Sequence, residues 1–426
     1  MSRLTRPLIK TQNQYWEISF EEAFQRVAER GKNMRDNATL MLTSGDYSNE
    51  ELYLLQRLAR AGFRTNAIGS FDYYNRGTAF FHDKNDILPY AELFGSDLLL
   101  CLLDETVDTH SMRTIRGVIE ACNQAEVYRF NRPDTLKIRH YAMFFRSLNH
   151  YLIHHDLAKG IYVDGLGKQY DEYKTAILQE DFNTLLGYNA LAEEDVRNFV
   201  GKLLHAEAPA FIVWERWLDA RAVIELENLC MLLDIQAKPS SGFLCIKADL
   251  NSQGLYDMGI FPDLCVSGEP FDTESVNLMR ELYGQPVCTT PIDISATLRA
   301  SGFETILLMN ATGVIIPDDI LQYLPNARFT ILQTANWDAE HDYQADLILP
   351  ASLPEETFGT YTDSARTPHQ SKAAQPCPIE YDTLHQLSAI GQRCGLSPME
   401  DPTEIFMEYI SFMKGGCHSQ RRHFFR

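Results

Sequence analysis

The sequence predicts an α/β protein built mainly from parallel sheets. Short, uniformly apolar runs of four to seven residues recur along the chain, and segments with helical apolar spacing lie between them. Strands buried on both faces and joined by helical crossovers read in this way, as continuous rather than alternating apolar runs. At roughly 150 residues per domain, 426 residues leave room for two or three separate cores.

The elements follow in order. Thr39–Thr43 is the first buried-strand run, followed by Ser44-Gly45 and an amphipathic helix. Ser48 with Glu51 reads as a capping box at the start of that helix, and Leu52, Leu55, Leu58 and Ala59 line one face. Residues 98–103 form a second strand, with a helix over 112–122 and a strand over 126–130. Residues 211–214 (Phe-Ile-Val-Trp) precede a helix over 219–233, and strands return at 305–309, 329–332 and 346–350. Residues 131–180 and the tail after Lys414 are expected to be the least regular parts. Ligands of parallel sheets sit beyond the carboxyl ends of the strands, so the residues just after each strand carry the functional information.

A net charge of −20 argues against nucleic acid or an anionic membrane as the main partner. An apolar fraction of 45% excludes a mostly disordered chain. No apolar run approaches the roughly 20 residues of a membrane-spanning helix, and the first residues lack a signal core, so a cytoplasmic location without direct membrane insertion is expected. The nine cysteines include no C-x-x-C pair, and no two lie closer than fifteen residues. Reduced core thiols, without an iron–sulfur cluster or structural zinc, are therefore expected.

Four stretches then carry a resemblance. They are 3–9 with 16–23 (Trp-Glu-Ile-Ser-Phe-Glu-Glu-Ala); 44–62 followed by Thr65-Asn66; 251–259 (Asn-Ser-Gln-Gly-Leu-Tyr-Asp-Met-Gly); and 345–351 (Ala-Asp-Leu-Ile-Leu-Pro-Ala) followed by Glu355, Gly359, Thr360 and Thr362. In these stretches the chain resembles the molybdopterin oxidoreductase superfamily, closest in pattern to formate dehydrogenase catalytic subunits. The resemblance implies two doubly wound, mainly parallel-sheet domains, one inserted into the other. Residues 1–70 plus 250–426 would form the discontinuous domain and 71–249 the inserted one. On this resemblance the superfamily's N-terminal iron–sulfur domain and C-terminal β-barrel domain are expected to be missing. The large iron–sulfur subunit of respiratory complex I has a comparable inactive domain.

Carried over position by position, the resemblance puts the metal ligand and the following histidine at Asn75 and Arg76. An amide is a poor ligand for a high-valent metal, and Asp72 is the fallback. The substrate-holding arginine falls on Lys247, which keeps charge without the bidentate fork. The family holds its polyanionic pterin guanine dinucleotide with small residues after the strands. Here the first such turn carries Asp104 and Glu105, whose carboxylates would repel a pyrophosphate by about 4 kcal/mol at 4 Å and an effective dielectric near 20. The second carries Trp214, Glu215 and Trp217, whose bulk would fill the space. The third carries Asn310 and Gly313, which can still make a tight anion-friendly turn; with Asn251, Gln253 and Gly254 it counts as vestigial, and no cofactor binding is expected.

Two weaker signals compete. His150 and His154 are spaced to clamp a metal but lack a third ligand, and 164–167 (Asp-Gly-Leu-Gly) lacks the third glycine of a nucleotide loop. The expectation is therefore a non-catalytic, formate dehydrogenase-like subunit without metal or cofactor. It would be a scaffold or assembly partner in a cytoplasmic electron-transfer complex. Its partners would be iron–sulfur or flavin subunits linked to NAD(P)H, ferredoxin, hydrogen or formate. The alternative is an active subunit carrying Mo- or W-bis(molybdopterin guanine dinucleotide), with a cluster supplied by a partner chain.

Overall fold

A computed structural model describes residues 2–31, 35–81, 87–158, 167–235, 238–337 and 345–415. The chain divides into two compact units. One comprises the residues up to Asn75, Asp249–Asp363 and the chain from Pro368; the other comprises Arg76–Ala248 with Ser364–Thr367.

Strands are numbered in chain order. The first unit holds β1 (Ser2–Arg3), β2 (Leu8–Thr11), β3 (Gln14–Glu17), β4 (Thr39–Thr43), β5 (Ile68–Ser70) and β10 (Thr305–Met309). It continues with β11 (Phe329–Thr334), β12 (Asn336–Trp337), β13 (Leu347–Pro350), β14 (Gly359–Thr362) and β15 (Pro368–Ser371). Seven of these form one sheet in the order β3-β2-β13-β11-β10-β4-β5. From β13 to β5 the pairings are parallel, while β2 and β3 close one edge as an antiparallel hairpin. β4 and β10 are buried at every position, and Leu40, Leu42, Ile306, Leu308, Leu332 and Ile348 enter the core. The chain runs from β4 to β5 on one side and returns to β10 on the other. The crevice beyond the carboxyl ends of β4 and β10 is thus the topological switch point of this sheet.

The second unit holds β6 (Leu98–Leu102), β7 (Glu126–Arg129), β8 (Pro209–Trp214) and β9 (Gly242–Ile246), all parallel, in the order β7-β6-β8-β9. Its switch point lies between β6 and β8. Leu99, Ile212, Leu244, Cys101 and Trp214 share its core. Both sheets are doubly wound parallel structures, the class the apolar runs predict.

The expected irregularity of residues 131–180 is corrected in two places, where Tyr141–His154 and Lys168–Leu178 are helices. The first is buried on most of its circumference, through Phe144, Phe145, Leu148 and Leu152 and also through Arg146, Ser147 and Asn149. A helix wrapped by neighbours has no solvent stripe, so its apolar residues show no amphipathic period. Its polar side chains pair inside the unit: Arg146 bridges Glu180 and Glu225, and Asn149 and Tyr173 donate to Glu225. His150 stacks on Phe182 with 4.9 Å between ring centroids, a packing role. Most of 164–167, and the tail from residue 416 on, lie outside the described residues.

Eight free cysteines are described, six of them buried. Burial pushes the Cys101 thiol up to about 12 and that of Cys245 to about 11, so both behave as small apolar side chains.

Candidate functional site

In the first unit the turn after β4 leads into the helix Asn49–Arg57, capped by the Ser48–Glu51 box seen in the sequence. Asp46 in that turn sits at the switch point and accepts a hydrogen bond from Thr312 of the loop after β10. Burial raises its carboxyl above the ordinary range, and the neighbouring Asp72 adds repulsion. Asp46 was not among the residues singled out, although it lies only three residues beyond the strand. Asn75 is exposed and donates through Nδ2 to Asp319 at 3.3 Å.

The 251–259 motif performs a structural task. Asn251 donates from Nδ2 to the Tyr47 carbonyl at 2.7 Å and to Asn49 Oδ1 at 3.0 Å, while its Oδ1 accepts the Thr362 amide at 2.7 Å. Asn49 donates to Thr362 Oγ1, and the Thr360 amide donates to Glu50. A Cβ on Gly254 would lie 2.3 Å from both Asn251 Oδ1 and Asn49 Oδ1, and one on Gly359 2.5 Å from Ser48 Cβ. The retained glycines and amides therefore bind the start of one helix to β14 and to the turn at 251. Asn251→Ala should strand the buried Thr362 amide and destabilise the protein by about 2 kcal/mol, measurable by urea unfolding.

Two orphaned atoms near these turns test the fit of a polyanionic group. Asn310 donates from Nδ2 to the Val314 carbonyl and Gln253 from Nε2 to Asp257, which leaves Asn310 Oδ1 and Gln253 Oε1 buried without a partner. Both are acceptors, as phosphate oxygens are, so neither can hold one. Gly313 takes φ +75 and serves the turn. The switch point of the first unit thus presents Asp46, Asp72 and buried carbonyl oxygens, a poor surface for a pyrophosphate.

In the second unit Arg76, Glu215 and Lys247 come together in one buried knot. Lys247 is 2% exposed; its Nζ donates to the Phe80 carbonyl, lies 3.8 Å from Glu215 Oε2 and sits 4.3 Å over the Phe81 ring. Glu215 is fully buried and accepts the Ala248 amide at 2.8 Å. Arg76 donates to the Glu215 carbonyl at 2.9 Å and covers the Phe80 ring. The cation at the position of the family's substrate-holding arginine is therefore sealed inside the unit. Trp214 belongs to the core, whereas Trp217 is half-buried, stacks on Tyr141 at 5.8 Å and separates two cavities.

The larger of these, about 610 Å³, opens at the carboxyl edge of β6 and β7. Asp104 and Glu105 line it, and here the electrostatic expectation needs correction. Asp104 Oδ1 accepts from the Thr106 amide and hydroxyl at 2.9 and 2.6 Å. Glu105 is bridged by Arg129 and Arg132. Glu105 is not an uncompensated charge, because arginines distant in sequence converge on it, while Asp104 is turned back on Thr106. Among the described residues no group of three or more His, Cys, Asp or Glu side chains is arranged to hold a metal ion. The engaged side chains at Asn75, Arg76 and Lys247, together with the acidic switch point, do not fit the family's metal–pterin group.

Comparisons agree with the fold and the motifs. The family model for molybdopterin oxidoreductase matches residues 3–98. Two Staphylococcus aureus proteins named as formate dehydrogenases are each 21% identical to the chain. That of strain MSSA476 covers 95% of it and that of strain bovine RF122 / ET3-1 covers 85%. The chain spans less than half of these relatives, 45% and 40% of their length. A chain in the crystal structure of the formyltransferase/hydrolase complex (FhcABCD) from Methylorubrum extorquens, in complex with methylofuran, shares the fold. The TM-score is 0.56 at 13% identity, over 91% of this chain and 98% of that one. The chain is thus similar to molybdopterin oxidoreductases over residues 3–98 and, at 21% identity over most of its length, to proteins named as formate dehydrogenases.

Proposed function

We propose that this chain is a non-catalytic subunit whose molybdopterin-type fold serves as a scaffold in a multisubunit complex acting on one-carbon groups at the formyl or formate level. The observation that carries the reading is Lys247. Its ammonium is taken up by the Phe80 carbonyl and Glu215 in the interior, so it is withheld from any substrate carboxylate. The positions matching the metal ligand and its histidine are likewise an amide bonded to Asp319 and a guanidinium packed on Phe80.

Purification of the tagged chain with its native partners tests this reading. We expect co-purifying subunits, no stoichiometric molybdenum or tungsten, and no formate-dependent dye reduction. Stoichiometric metal together with extractable pterin in this chain would refute it. The relatives named as formate dehydrogenases favour a second reading, a redox complex, for which iron–sulfur or flavin subunits are the partners we propose. Iron and flavin in the purified assembly would establish that version. If the chain itself were active, Asp72 would be the candidate metal ligand and Asp72→Ala would abolish dye reduction; on the scaffold reading that variant changes nothing in the assay.

A further inference from the structure

The cavity at the carboxyl edge of β6 and β7 places two guanidinium groups around one carboxylate. Arg129, the last residue of β7, points Nε at Glu105 Oε1 at 3.3 Å, and Arg132 donates to Glu105 Oε2. Arg116 is occupied differently, donating to the carbonyls of Glu105 and Val107 and so clamping the turn that carries Glu105. Asp104 is turned back on Thr106. What remains is a pair of cations, each meeting a separate oxygen of a single monoanion.

Resting on the reading of an unloaded subunit, we propose that Glu105 is an internal counter-ion. It occupies the anion position of this cavity and excludes phosphate and pyrophosphate groups from it. Two guanidiniums present a forked donor set suited to phosphate oxygens, and a carboxylate that meets both uses the same donors. Because Glu105 is tethered to the clamped turn, its effective concentration at the arginines is at least millimolar, and a dilute free anion competes poorly. The side chains are 43–45% exposed, so the ion pair itself contributes little to stability and its removal should leave the fold intact. Exclusion thus arises from occupation of the cationic site rather than from repulsion at an acidic one.

Titration calorimetry of inorganic pyrophosphate into the purified protein at low ionic strength tests the proposal. Glu105→Gln should bind at least about tenfold more tightly than the unmodified protein, and adding Arg132→Met should remove the gain. Circular dichroism of each variant checks that it is folded. Equal binding, or no binding, by the unmodified protein and Glu105→Gln would overturn the inference. A gain that survives Arg132→Met would overturn it too, by placing the anion elsewhere. Either failure leaves the scaffold reading intact, because that reading stands on the metal and pterin content of the unmodified protein.

Discussion

Arg60→Met is expected to destabilise the first unit by about 3–5 kcal/mol, or to prevent its folding. Arg60 lies in the single π-helical turn Leu58–Gly62 and is fully buried. Its Nη2 donates to the carbonyls of Gly259, Phe261 and Leu264 at 2.8–2.9 Å. Nε donates to Asn66 Oδ1 at 3.1 Å, Nη1 to Gln56 Oε1 at 3.0 Å, and the guanidinium lies over the Phe271 ring. Burial pulls its pKa down to about 10, still well above neutral pH, so the charge persists. One side chain therefore satisfies three carbonyls of the 259–264 loop. A thioether of similar length fills the volume but leaves three buried carbonyls and two amide oxygens unpaired. Urea unfolding read by circular dichroism checks the prediction; a loss below about 1 kcal/mol would show that water replaces the guanidinium. Arg60→Lys should recover only part of the stability, since three donors on one atom cannot reach five acceptors spread across a plane.

Arg60 also shows where sequence reading stops. The strands at Thr39–Thr43, Leu98–Leu102 and Thr305–Met309 are legible because burial on both faces leaves an uninterrupted apolar run. The Ser48–Glu51 box is legible because its partners are three residues apart. The helix Tyr141–His154 is not, because Arg146 and Asn149 find partners in Glu180 and Glu225, well away in sequence, and these let polar residues sit inside. The same limit governs the site. Lys247, Glu215, Asp104 and Glu105 stand out as departures from a family pattern, and that much is local information. That Lys247 would be taken up by the Phe80 carbonyl, or Glu105 by Arg129 and Arg132, depends on contacts that only the fold creates. Asp46 is legible from the rule that the first residues after a central strand face the switch point.

The stability of the first unit should fall as pH rises from about 5 to 8, and Glu51→Gln should flatten that slope. Glu51 caps the helix Asn49–Arg57 by accepting from the Ser48 amide at 2.8 Å and the Ser48 hydroxyl at 3.0 Å. It is 4% exposed, and burial, with repulsion from Asp382 and Glu50 against the relief of the Ser48 bonds, raises its pKa to about 7. A carboxyl whose folded pKa lies above its unfolded value near 4.5 keeps a proton that the unfolded chain releases. Its stabilising contribution is complete below about 4.5 and is lost as pH climbs through 7. At about 1.4 kcal/mol per unit, the interval corresponds to about 3 kcal/mol. Burial raises Glu50 and Asp46 as well, so their ionisation acts in the same direction. Glutamine keeps one acceptor for Ser48 and cannot ionise, so the variant should lose less stability between pH 5 and 8 than the unmodified protein and overtake it at the upper end. Urea midpoints across that range decide the matter, and parallel pH profiles for the two proteins would show that Glu51 is ionised at neutral pH and held by Ser48 alone.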